Sequence, residues 1–96
     1  MKTLSPVERE AYLLDLLEQL AQKKITEGKL LATLRKEILG MNQDDYATYV
    51  KVSRRTLSDI ENDSGKQTLP VINKVFKPFG LTMGLRLIRP PQPALQ

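Results

Sequence analysis

The stretch Met41-Asn42-Gln43-Asp44-Asp45-Tyr46-Ala47-Thr48-Tyr49-Val50-Lys51-Val52-Ser53-Arg54-Arg55-Thr56-Leu57-Ser58-Asp59-Ile60-Glu61-Asn62 decides the fold. Asn42 is a helix N-cap. Asp44 and Asp45 follow in the first turn, where carboxylates suit the positive end of the helix dipole. Tyr46, Ala47 and Val50 recur at the spacing of one helix face. Lys51-Val52 forms a turn, and Ser53 caps a second helix whose inner face is Leu57 and Ile60, with Thr56 close by. Two helices crossing steeply over so short a turn need a small side chain at the crossing and an apolar plug at the corner. Ala47 and Val52 supply these. The packing leaves Arg54, Arg55, Ser58 and Asp59 pointing outward near the N-terminus of the second helix.

Working outward, the pattern predicts further helices on both sides. Upstream, Ser5-Pro6-Val7-Glu8 reads as a capping box with proline in the first turn. From Val7 to about Gln22, Leu13, Leu16, Leu17 and Leu20 form one helical stripe, and Val7, Ala11, Leu14 and Ala21 lie beside it. The combined arc is wide: either all of it is core, or part of it meets a second subunit. Thr26-Glu27-Gly28-Lys29 starts another helix with Leu30, Leu31, Leu34 and Ile38 inward and Gly40 as its stop. Downstream, Asp63 to Gln67 is a polar loop. Thr68 caps a helix with Pro70 in its first turn and Val71, Ile72, Val75, Phe76 and Phe79 inward. Pro78 makes its last turn irregular, and Gly80 ends it.

The character changes at residues 81–88. Leu81, Met83, Leu85 and Leu87 alternate with Thr82, Gly84, Arg86 and Ile88, the two-residue period of a strand with one buried face. A lone strand cannot satisfy its own backbone. The natural partner is the same strand of a second copy, which predicts a homodimer with a two-stranded intermolecular sheet; the alternative is an extended tail lying on the helices. Residues 89–96 form a proline-rich tail. The expected organisation is an N-terminal helical extension over 1–25, a helical domain over 26–80, a dimerisation strand over 81–88 and a tail over 89–96.

Composition narrows the chemistry. The chain has 96 residues with no His and no Cys, so the commonest general base, the commonest metal ligand and any disulfide framework are missing. No nucleophile, base and orienting group cluster, so no enzyme, catalytic residue, metal or cofactor is expected. Fifteen basic against eleven acidic residues give a net charge of +4, a mild pull toward polyanions. Glu8 and Glu10 stand where a signal peptide's apolar region would begin, and no apolar run approaches the ~20 residues of a membrane span. The expectation is a soluble, cytoplasmic protein.

Residues 29 to 80 resemble the Cro and phage-repressor (Xre) helix-turn-helix family. The resemblance rests on Gln43, Ala47, Val52-Ser53-Arg54, Thr56-Leu57-Ser58 and Ile60-Glu61-Asn62, followed by a polar loop and Thr68. It implies an all-α, lambda-repressor-like domain whose second motif helix enters the major groove of double-stranded DNA. Arg can pair bidentately with guanine, Asp can accept from cytosine, and Ser adapts. The resemblance further implies that Gln43 contacts phosphate and braces the recognition helix. Arg54, Arg55, Ser58 and Asp59 would face bases or nearby phosphates, although the four-residue spacing itself favours an ion pair of Asp59 with Arg55 over a base contact. Ser53 would cap, Thr56 and Asn62 would help at the DNA backbone, and Lys66 would lie near phosphate. Glu61 would pair with Lys36 or Arg35. This chain departs from the family where Lys51 replaces the usual turn glycine, at ~1–2 kcal/mol for a left-handed conformation, and where Pro78 interrupts a normally continuous helix. Asp44, Asp45, Asp59 and Asp63 also put negative charge near the expected DNA face.

The end of the chain, Phe79-Gly80-Leu81-Thr82-Met83-Gly84-Leu85-Arg86-Leu87, resembles HipB-like antitoxins. That resemblance implies dimerisation through Leu81, Met83, Leu85 and Leu87, an inverted-repeat operator, repression of its own operon and a HipA-like kinase toxin as partner.

Overall fold

Helix α1 begins where the capping box expects it. Ser5 Oγ accepts from the Glu8 amide at 3.2 Å, and Glu8 Oε1 accepts from the Ser5 amide at 2.8 Å. The computed structural model describes residues 4–83, and in it α1 spans Pro6–Ala21. Leu16 is buried, and Tyr12, Leu13, Leu17 and Leu20 are half-buried on the same side. Val7, Ala11, Leu14 and Ala21 stay exposed, so the wide arc divides into a covered half and an open half. No glycine ends α1. Lys23 takes φ 62° instead, and the Lys24 amide reaches back to the Gln19 carbonyl at 2.9 Å, closing the helix end as a Schellman turn does.

Helix α2, Glu27–Thr33, is capped by Thr26 and continues as a π-helical turn over Leu34–Leu39. The spacing alone predicts one uniform helix up to Gly40. Instead the ladder widens near its end, where the Arg35 carbonyl accepts from both the Gly40 and Met41 amides. Gly40 then stops it at φ 63°. Three further helices follow: α3, Gln43–Val50; α4, Arg54–Glu61; and α5, Leu69–Phe76. Thr68 occupies the N-cap position of α5, but its side chain makes no capping bond. Pro78 has the expected effect, leaving Lys77–Phe79 as a 3-10 turn closed by Gly80.

The helices meet around Leu31, Leu34, Tyr46, Leu57 and Val75, all fully buried. Tyr46 ties this core together. Its hydroxyl donates to the Val75 carbonyl, and its ring stacks on Phe79 with centroids 6.1 Å apart. Burial pushes its pKa well above the usual tyrosine value, with Tyr49 and Glu61 acting in the same direction. Tyr49 lies on the exposed side of α3.

The anticipated strand falls mostly outside the described residues. Leu81, Thr82 and Met83, which are described, are not in a strand, and the described residues contain none. Leu81 is half-buried against the core and Met83 is exposed. The Met83 amide is satisfied by Asn73 Oδ1 at 2.7 Å rather than by a neighbouring strand. Leu85, Leu87 and the tail over 89–96 lie outside the described residues. No described helix is long and apolar enough to cross a membrane.

Candidate nucleic-acid interface

The corner between α3 and α4 depends on one residue in an unusual conformation. Lys51 adopts φ 62°, ψ 46°, the left-handed conformation that glycine takes without strain. Beyond it the Val52 amide turns back to the Ala47 carbonyl at 3.0 Å. Val52 is half-buried in the corner and Ala47 is 3% exposed at the crossing. Ser53 then starts α4: its Oγ accepts from the Thr56 amide at 3.0 Å and donates to Thr56 Oγ1 at 2.8 Å. Both hydroxyls are therefore engaged with each other at the helix start.

From below, α4 is held by a buried polar network. Arg35 presents its planar fork to Glu61, with Nε donating to Oε2 at 2.7 Å and Nη2 to Oε1 at 2.8 Å. Two further bonds extend the network: Arg35 Nη1 donates to the Met41 carbonyl at 2.8 Å, and Gln43 Nε2 donates to Glu61 Oε1 at 2.9 Å. The ion-paired side chains are only 6% and 5% exposed. No buried side-chain polar atom among the described residues lacks a partner, the condition under which a buried pair is tolerated. Of the two cations considered for Glu61, Arg35 is inside and Lys36 is exposed. Gln43 thus braces α4 by way of Glu61, with its side chain turned inward and half-buried.

A second lock joins α2 to the end of α4. A Cβ on Gly28 would stand 2.5 Å from both the Ile60 and Glu61 carbonyl oxygens, so only glycine allows this approach. Beside it, Asp63 Oδ1 accepts from the Gly28 amide at 3.0 Å and Oδ2 from Thr26 Oγ1 at 2.6 Å. Asp63 therefore spends its charge on the N-terminus of α2 and does not add to the acids near the outer face. Sequence reasoning missed both contacts. Asp63 and Gly28 are 35 residues apart, and helical periodicity carries no signal over that distance.

The outer side of α4 is open by comparison. Arg54 and Arg55 are exposed, Ser58 and Asp59 half-buried, and Asn62 exposed. At ~100° per residue, these five positions fill one side of the helix. Arg54 Nη1 leans to Asp44 Oδ2 at 3.3 Å, with both side chains more than 60% exposed. Such a surface pair contributes only ~0–1 kcal/mol and breaks cheaply. The expected Arg55–Asp59 ion pair is absent among the described residues, leaving Arg55 without an acidic partner there. Asp59 instead accepts the Ser64 amide on its main-chain carbonyl at 2.8 Å. Asn62 Nδ2 reaches Ser58 Oγ at 3.3 Å. Lys66 is exposed in the loop that follows, past the left-handed turn at Gly65.

A family model described as helix-turn-helix matches residues 31–85, more than half of the chain. No curated protein and no solved structure matches it.

Proposed function

Since the chain belongs to the helix-turn-helix family, of the Cro and phage-repressor type whose members are DNA-binding regulators, we propose that it is a sequence-specific transcriptional repressor acting as a homodimer in the cytoplasm. The observation that carries this reading is the two-sidedness of α4: Arg54 and Arg55 are exposed at its N-terminal end, while Leu57, Ile60 and Glu61 are fixed underneath. A recognition helix needs both properties, because base-edge hydrogen bonds discriminate only when the backbone presenting them is held in register.

In this reading two copies of α4 enter successive major grooves ~34 Å apart, so the operator is an inverted repeat. Arg54, Arg55 and Ser58 discriminate bases. Lys66, Asn62 and the backbone amides at the N-terminal turns of α3 and α4, those of Gln43, Ser53 and Thr56 among them, set the register on phosphate. Asp59 limits the choice of base beside Arg55. The homodimer forms through Leu81, Met83, Leu85 and Leu87.

Within that function, the alternation over residues 81–87 supports a narrower reading: an antitoxin that represses its own operon and binds a HipA-like kinase toxin. A stand-alone regulator with the same DNA chemistry is the alternative. Selection of binding sites from random duplexes tests the DNA reading: two half-sites in inverted repeat, ~10 bp centre to centre, are expected. Recovery of no preferred sequence would leave a protein-interaction module that reuses the fold. Copurification with a kinase encoded beside the gene tests the antitoxin reading.

A further inference from the structure

Helix α1 carries more apolar surface than the described chain covers. Val7 is 78% and Leu14 60% exposed. With Ala11 between them, they stand at i, i+4 and i+7 on one helix face. At ~100° per residue, Glu10 and Asp15 flank this sector on either side, and Glu18 continues it one turn beyond Leu14. The only basic residue of α1, Arg9, falls on the other side. Through Leu17 this face runs into a groove of about 230 Å³ whose lining includes Leu17, Leu20, Leu30, Phe76, Leu81 and Met83.

Met83 is also where the described chain ends. The residues that follow, Gly84-Leu85-Arg86-Leu87-Ile88-Arg89, combine three aliphatic side chains with two arginines and no acid. On the side that carries Leu85 and Leu87 the alternation also places Arg89, so that side complements an apolar face with an acid beside it. Length agrees as well: five extended residues span ~17 Å, and Leu17 and Val7 lie ~15 Å apart along α1. A two-stranded ribbon is at best marginal in water unless a helix or another strand covers its apolar side.

We propose that α1 is the cover of the dimerisation strand: residues 84–88 lie along the Val7–Leu14 face with Leu85 and Leu87 against it, and Arg89, on the same side of the alternation, is drawn to Glu10. The proposal rests on the dimer reading above, and it gives the N-terminal extension a defined task.

The chain contains no Cys, so introduced thiols report the contact without background. In the full-length protein, Leu14→Cys and Val7→Cys are each combined with Leu87→Cys, and Tyr49→Cys with Leu87→Cys serves as the remote control. Closure of a disulfide needs Cα atoms within ~7 Å. At least one α1 pair is expected to oxidise faster than the control. Separately, Leu14→Glu is expected to raise the dimer dissociation constant at least ~tenfold in sedimentation, with helicity unchanged. If neither α1 pair outpaces the control and Leu14→Glu leaves a dimer unaltered, the cover is overturned and the dimer stands. If the pairs close within a monomer, the contact stands and the dimer reading falls. If Leu14→Cys alone bridges two copies faster than either pair closes, a second α1 is the occupant and the proposal is wrong.

Discussion

The two sides of α4 obey opposite rules. On the inner side Glu61 is gripped by Arg35 and Gln43, and the helix end is pressed onto Gly28 with no space left over. The outer side spends almost nothing, with Arg54 in a loose exposed pair and Arg55 without an acidic partner among the described residues. Position is fixed on one face so that chemistry stays available on the other. Changes on the inner side should therefore appear as lost stability, and changes on the outer side as lost DNA affinity.

The largest effect is expected from Glu61→Ala, which leaves the Arg35 guanidinium buried without its counter-charge. Breaking a buried pair this way costs ~3–5 kcal/mol, read from the denaturant midpoint. Such a loss is a large share of a small domain's stability. A cost below ~1 kcal/mol, the range of surface pairs, would mean that the Arg35–Glu61 pair is not buried as described. Next comes Gly28→Ala. The added methyl meets two backbone carbonyls that cannot move aside alone, and overpacking of this kind costs ~1–3 kcal/mol. Arg55→Ala belongs to the other side: affinity for the preferred duplex should fall by ~1–3 kcal/mol with little change on random DNA, while the melting temperature stays put. Equal weakening on all sequences would make Arg55 a phosphate contact. The smallest effect is Lys51→Gly. Relief of the left-handed strain, ~1–2 kcal/mol, is partly offset by the ~0.5–1 kcal/mol entropic cost of glycine. A net gain of ~0–1.5 kcal/mol is expected in thermal unfolding, with DNA binding unchanged.

Much of this division was legible before any coordinates. The caps at Ser5, Asn42 and Ser53, the stops at Gly40 and Gly80 and the corner at Lys51-Val52 are local chemistry, and each sits where its residues place it. Glu61 was recognisable as a paired acid, but choosing Arg35 over Lys36 required knowing which of two adjacent residues faces inward. The π-helical turn at Leu34–Leu39 left no trace in the periodicity, because one widened turn barely shifts the apolar spacing. The Asp63 clamp and the Gly28 contact join segments far apart in the chain, so only the packed helices reveal them. Arg54 was assigned outward and is outward, yet its partner Asp44 lies ten residues away on another helix.

The central claim is that α4 is held from beneath and reads DNA from above. It is tested most directly by Arg54→Glu with Arg55→Glu in the full-length chain, measuring duplex binding and thermal unfolding on the same sample. The account predicts that binding to the selected operator disappears while the melting temperature is nearly unchanged, since both side chains are solvent-exposed. Operator binding that survives the double reversal would contradict it.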